Sequence, residues 1–439
     1  MSSLNIPVES TTLANGLRVV ISPDRSAPVA TIGVYYQIGF RLEPRGRSGF
    51  AHLFEHMMFQ GSENASKMEH IKLINSSGGL LNGTTGYDVT NYYEAVPSNA
   101  LERVLWLEAD RMRALRVDDE NLRNQRDVVK EEVRVNVLNQ PYGGFPWLDL
   151  PPVAYRNWHN AHNFYGDFAD LDAATLDDVM NFYQTYYAPN NAVLLMLGDV
   201  EPSSGFAFAK RYFEDIPAHQ LPPRVDASEP PQTEERRGEV PETFAQLPAL
   251  AIGYQAPRHN TPEWCAAGIL DRALHGGRAG RFDRRLVAER QIAVEMSGGI
   301  NYPSGNLFDY NGPTLMVTSI YHKPEFTAEQ TIAAFDEIIA EVREHGVSES
   351  ELEQVKVKFR SDYFSMLEGG AGAHMPRFGL MHCLACFSLF DNDPQKINTL
   401  LDRFLQVTRT QIQEVANKML IPSQRSIVTR KPSRNGGAR

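Results

Sequence analysis

The apolar positions of this 439-residue chain follow two periods in alternation. Short β-branched runs such as Gly16-Leu-Arg-Val-Val-Ile-Ser22 and Ala30-Thr-Ile-Gly-Val-Tyr-Tyr36 read as strands. Between such runs, apolar residues recur every three or four positions, which reads as amphipathic helix. Residues 118–139 form one such helix. Asp118 or Asp119 stands at its N-cap, and acids fill its first turn. Gln125, Val128, Val129, Glu132 and Val135 share one stripe of it, whereas Asn124, Asp127, Glu131 and Arg134 share a solvated one. A carboxylate among valines is costly unless a positive charge meets it. Glu132, rather than its neighbour Glu131, is therefore expected to face a metal ion or an arginine.

The alternation of strands and helices predicts an α+β fold, each half a mixed sheet covered by helices. The pattern also repeats along the chain. Val117 and Leu122 open one helix as Val347 and Leu352 open a later one, which sets Glu132 opposite Asp362. Thr175 and Pro189 are spaced as Thr408 and Pro422 are. Seven prolines from Pro217 to Pro248, with the charged run Glu234-Glu-Arg-Arg237, mark a linker. Two homologous α/β sandwich domains are expected, 1–215 and 246–439, joined by a proline-rich linker at 216–245.

Composition narrows the partners. Apolar content of 42% and charged content of 22% are ordinary for a globular protein. A net charge of −11 argues against nucleic acid and anionic membrane as partners. No apolar run approaches the ~18 residues of a membrane span. The first residues, Met1-Ser-Ser-Leu-Asn-Ile-Pro7, lack the basic start and apolar core of a secretion signal. The expectation is a cytoplasmic protein, or an exported one numbered after signal removal. Cys265, Cys383 and Cys386 cannot build a disulfide framework. Cys383-Leu-Ala-Cys386 has redox spacing beside His382, but its apolar surroundings read as core.

The candidate chemistry lies in His52-Leu-Phe-Glu-His56, an H-x-x-E-H string. Residues four apart on a helix share a face, so His52 and His56 can hold one ion. Glu55 lies beside His56 and can act as general base towards a water at that ion. A catalytic zinc site takes three protein ligands and keeps one position open. Glu132, on a second helix, is the expected third ligand.

These residues resemble the pitrilysin/insulinase family of zinc peptidases, the inverzincins, in which a helical glutamate follows H-x-x-E-H by about 75 residues. The flanks match as well. Gly39–Gly49 resembles the approach to the motif and Met57–Gly61 its exit. Gly78-Gly-Leu-Leu-Asn-Gly-Thr-Thr85 resembles the family's Gly-Gly-x-x-Asn-Ala-x-Thr strand. Tyr187–Asn191 and Leu197–Val200 resemble the end of its first domain. The resemblance spans roughly residues 10 to 200 and implies the short, two-domain subgroup. It implies one Zn2+ per chain on His52, His56 and Glu132, with Glu55 as catalytic base of a zinc metallopeptidase. It implies an extended peptide substrate bound by strand addition along Leu81, Asn82, Gly83, Thr84 and Thr85. Those residues suit a plain hairpin too.

Two departures from the family stand out. Its supporting glutamate, seven positions before the ligating one, is Gln125 here. An amide still hydrogen-bonds a histidine but adds no charge; weaker zinc binding and neutral drift both fit. The family's second domain also supplies an arginine and a tyrosine seven apart. Their positions fall here on Val287 and Val294. Shifting to Arg284, Arg285 or Arg290 places Gln291, Ile292 or Ser297 where the tyrosine belongs. Ala267–His275, which aligns with the zinc helix, lacks H-x-x-E-H. The resemblance therefore implies the zinc-bearing subunit of a heterodimer whose metal-less partner contributes the arginine and tyrosine. Bacterial heterodimers of this type are often exported, which points to the periplasm, with the cytoplasm as alternative. The other functional reading is a non-catalytic assembly or peptide-binding subunit of the same fold; the intact motif favours the enzyme.

Overall fold

The computed structural model describes residues 4–369 and 375–433. Its strands form two mixed sheets with helices packed on them, the α+β architecture expected. The first sheet holds β1 (Glu9–Thr12), β2 (Arg18–Pro23), β3 (Val29–Tyr36), β4 (Leu80–Thr85), β5 (Thr90–Pro97) and β6 (Ala192–Gly198), in the order β1-β2-β6-β3-β5-β4. The second holds β7 (Arg236–Glu242), β8 (Ala249–Gln255), β9 (Ala293–Ile300), β10 (Leu315–His322) and β11 (Arg425–Pro432), in the order β7-β11-β8-β10-β9. The two expected strand runs are β2 and β3.

Removing β1 makes the sheets copies. In each, the first strand pairs in parallel with the last, and the remaining three pair antiparallel. The duplication read in the sequence is thus present in the strand order. Central β6 is buried throughout, which explains its unbroken apolar run. Edge strand β4 alternates exposed and covered residues instead.

Two compact units emerge, and neither is one contiguous stretch. One comprises residues up to 130, 164–225 and 363–400; the other comprises 131–163, 226–362 and 401 onwards. Packing explains the interleaving. Phe145, Leu150, Ala154 and Tyr155 join a core with Ala249, Ala251, Leu315, Val317 and Val428. The helix Phe378–Cys386 lies so close on β3 that a Cβ at Gly33 would sit 2.7 Å from the Met381 sulfur. Cys383 and Cys386 are buried within that helix, as their apolar surroundings foretold. Residues 236–242, inside the expected linker, form β7. Pro241 is accommodated there because β7 is an edge strand.

Three further elements of the first unit prepare the site. They are α1 (Phe50–Met57), α2 (Glu69–Ser76) and α3 (Leu101–Arg113). Phe50, Leu53, Phe54 and Met57 bury one face of α1 in the core. Gly49 caps its N-terminus at φ 84°. A Cβ there would meet the Tyr165 carbonyl at 2.5 Å, so only glycine fits. The fully buried Glu43 accepts hydrogen bonds from the Gly49 and Ala51 amides, at 2.9 and 2.7 Å. A side-chain oxygen thereby satisfies amides that the helix leaves open, and its charge suits the positive end of the dipole. At the other end, the Tyr92 hydroxyl of β5 donates to the Phe54 carbonyl at 3.3 Å.

Behind this helix lies a buried charge cluster. His70 of α2 is 3.2 Å from Glu94 of β5 and 3.7 Å from Glu108 of α3. The Arg111 guanidinium binds Glu108, lies 3.6 Å from Glu94 and stacks over Tyr92 at 4.4 Å. One arginine cannot balance two buried carboxylates, so the glutamate pair retains a proton. Burial pushes Glu108 up to about 8 against the pull of Arg111, with Glu94 adding to the rise. Burial raises Glu94 too, and lowers His70 to about 3, leaving it neutral.

Two outcomes follow from this packing. Glu43→Ala strips both acceptors from the start of α1 and is expected to lower stability by about 2 kcal/mol, read from denaturant midpoints. Glu108 is raised from its ordinary 4.5, so its contribution is full below that value and fades as pH rises through about 8. Urea midpoints from pH 6.5 to 8 should therefore fall for the native protein relative to Glu108→Gln, by about 1 kcal/mol per pH unit. Parallel curves would refute the retained proton.

Candidate metal centre

The H-x-x-E-H string occupies most of α1. His52 is 2% exposed and His56 is half-buried. Their Nε2 atoms stand 3.2 Å apart, and the rings are perpendicular. Two nitrogens on one tetrahedral zinc, each at 2.0–2.1 Å, would be separated by about 3.3 Å. The His52 ring is wedged against Phe164, at 4.3 Å between centroids, and Tyr165, at 5.2 Å.

Glu132 comes from α4 (Asp119–Val133). Asp118 caps that helix by accepting from the Asn121 amide at 2.9 Å. Leu122 and Val129 seat it in the core that holds α1. The helix runs unbroken from Asp119 to Val133, so Glu132 shares the element that Leu122 and Val129 anchor. Ligand atoms of His52, His56 and Glu132 all lie within 4.8 Å of one another. Glu131 turns outward and binds Arg134 at 3.0 Å.

The stripe around Glu132 differs from the expected one. Gln125 and Val129 are buried, but Val128 and Val135 are 42% and 48% exposed. The covered face runs through Leu122, Gln125, Val129 and Val133, where α-helical spacing puts it. Beyond Val133 the helix widens into a π turn, Arg134–Leu138, which swings Val135 out. Gln125 sits two turns before Glu132, as aligned. Among the described residues, its amide forms no hydrogen bond with the ligating side chains.

Glu55 is half-buried beside the pair. Its Oε2 accepts a hydrogen bond from Thr85 Oγ1 at 2.7 Å. Burial first, then the Glu55 charge, pushes the Tyr93 phenol up to about 12. Burial also holds Tyr92 and Tyr187 above the usual phenol range, with Glu55 contributing. The five expected peptide-binding residues, Leu81, Asn82, Gly83, Thr84 and Thr85, all lie on β4 at the sheet edge. Sequence reading missed Glu43, Phe164 and Tyr165. Glu43 lay inside the matched approach to the motif, and a carboxylate shortly before a helix was its available signal. Phe164 and Tyr165 carry no local signal, since only folding brings them to His52.

A second group, His70, Glu94 and Glu108, also has metal-ligand geometry. There Arg111 already supplies the positive charge. In the second unit, the counterpart of the zinc helix spans Pro262–His275. Its Arg272 lies 3.2 Å from Asp362, the residue opposite Glu132. Val294 is 50% exposed on β9 and Val287 is half-covered. Arg284, Arg285 and Arg290 each pair with a glutamate of their own unit.

Comparison with known proteins points to one family. A family model described as "Insulinase (Peptidase family M16)" matches residues 18–142, and one described as "Peptidase M16 inactive domain" matches 173–359. The zinc protease PqqE of Helicobacter pylori is 27% identical, covering 97% of this chain and 93% of its own. The mitochondrial-processing peptidase subunit beta of Saccharomyces cerevisiae is 21% identical, covering 81% and 78%. A crystal structure of a protease from Helicobacter pylori superposes with a TM-score of 0.87 at 26% identity, over 98% of this chain and all of that one. A peptidase M16 inactive domain from Pseudomonas fluorescens shares the fold, with a TM-score of 0.84 at 17% identity over 98% of both chains. With the inverted motif, the duplicated sheets and both family models in register on one chain, this protein belongs to the pitrilysin/insulinase family of peptidases, as a two-domain member.

Proposed function

We propose that this chain is the zinc-bearing subunit of a metalloendopeptidase acting on extended peptides. The convergence of His52, His56 and Glu132, with Glu55 beside them, carries the reading. The donor set suits zinc: two imidazoles and one carboxylate, with an Nε2 separation matching one tetrahedral ion. Such an ion supplies a Lewis acid that polarises a peptide carbonyl and makes a water acidic near neutral pH. His52 and His56 bind as neutral rings, and Glu132 brings one negative charge, so a divalent ion there stays net positive. Glu55 takes a proton on its carboxylate and hands it to the departing amine. Open edge β4 offers backbone N–H and C=O groups to a peptide strand, giving grip with little side-chain preference.

The second unit supports a division of labour. Valines stand at both positions where a donor to the developing oxyanion belongs, and the nearby arginines are engaged by glutamates. A relative named as a peptidase subunit, the yeast beta chain, aligns over most of this protein. A partner lacking the motif but bearing the arginine and tyrosine completes the site.

Glu55→Gln should keep about one zinc per chain by elemental analysis, yet cleave a quenched fluorogenic peptide at least about 100-fold more slowly. Cleavage at the native rate would remove Glu55 from its role. Without the partner, the native chain should be slower than the complex by about two to three orders of magnitude. Full activity at concentrations where it is monomeric would overturn the partner requirement.

A further inference from the structure

Thr85 stands among the residues expected to grip the substrate, but its side chain points elsewhere. On β4, Leu81, Gly83 and Thr85 are the covered residues, and Leu80, Asn82 and Thr84 are exposed. The covered set faces α1. Thr85 Oγ1 is 2.7 Å from Glu55 Oε2, whereas its alternative acceptor, the Ala51 carbonyl, is at 3.5 Å. The hydroxyl proton therefore goes to the carboxylate, as a charge-assisted bond. Two residues earlier, Gly83 leaves room for the same side chain. A Cβ at Gly83 would lie 3.2 Å from Glu55 Cγ and 3.3 Å from the Tyr92 ring.

We propose that Thr85 is a positioning residue for Glu55: its hydroxyl, above the space left by Gly83, fixes the orientation of the carboxylate that moves the proton. The inference rests on the reading of Glu55 given above. The holder is itself rigid. Thr85 ends β4, and the turn after it closes with the Gly86 amide donating to the Val89 carbonyl at 2.8 Å. The Phe40 and Arg41 amides donate to the Gly86 and Tyr87 carbonyls, at 3.2 and 3.1 Å. A buried Arg41–Asp88 ion pair at 2.8 Å clasps the same turn. The backbone of one strand can thus serve the peptide while its alternate side chains serve the base.

Thr85→Val removes the hydroxyl but keeps the shape and the β-branch; Thr85→Ser keeps the hydroxyl. Two readouts test the proposal. In crystal structures of the zinc-loaded full chain, native Glu55 should show one rotamer bonded to Thr85, and the valine variant should show it displaced or split. With a quenched fluorogenic peptide, and the partner subunit where activity requires it, the valine variant should lose about 10- to 100-fold in kcat. Its KM should stay within about 2-fold and its zinc content should not change, and the serine variant should recover most of the rate. An unmoved Glu55 in the valine variant overturns the proposal, and so does a loss expressed in KM alone, which would make Thr85 a substrate contact. Glu55→Gln in the same assay separates the two readings. If it matches the native rate, Glu55 is not the base, while the crystallographic comparison still decides what Thr85 holds.

Discussion

Two imidazole nitrogens aimed at each other across 3.2 Å inside a protein are the constraint on which the site depends. Such an approach is favourable when one ring donates its N–H to the other or when both bind one cation. His52 cannot swing away, because Phe164 and Tyr165 pack against its ring. The backbone of α1 cannot relax either, with Glu43 holding its first amides and Tyr92 one of its last carbonyls. Surrounding residues thus hold the two rings in place. The Glu132 carboxylate lies alongside, and two imidazoles with one carboxylate form a donor set that suits a divalent ion.

Much of this was legible in the sequence because the information is local. Helical spacing alone put His52 and His56 on one face and told Glu132 from Glu131. β-branched runs located β2 and β3. What the sequence obscured depends on distant packing. Val128 and Val135 look like partners of Val129 on a helical wheel, yet the core reaches only the Leu122–Gln125–Val129–Val133 face, and the π turn after Val133 spoils the extrapolation. The proline-rich stretch looked like pure linker because prolines at an edge strand and prolines in a loop have the same composition. Residues 131–163 and 363–400 cross between the units because Leu150 and Met381 fill gaps beside glycines on sheets that are remote in the chain.

The repeated sheet order bears on how function was divided. Each unit has an edge strand at the same topological place, β4 in one and β9 in the other. Each half of the sequence has a helix corresponding to α1 and a carboxylate on a second helix. Only the first carries the H-x-x-E-H pair of imidazoles; the single ring of the other, His275, is held by Asp271 and Thr318. The second carries Arg272 against Asp362, so the duplicated scaffold survives with the chemistry exchanged for an ion pair. A fixed guanidinium does for packing what a metal does, but it offers no open coordination position.

The chain therefore meets one physical problem, a carboxylate away from bulk water, in three ways. Asp362 has an arginine. Glu94 and Glu108 share one arginine and keep a proton, because one cation cannot balance both. Glu132 lies beside the two histidines of the proposed metal site. The first two arrangements are complete within the chain. In the proposed reading a divalent ion joins the third, and an ion can keep a position open for a reacting water where an arginine cannot. The same logic bears on the neutral hydroxyl beside the proposed base. A lysine or arginine on Glu55 would quench its affinity for a proton, whereas Thr85 can orient the carboxylate and leave its charge intact.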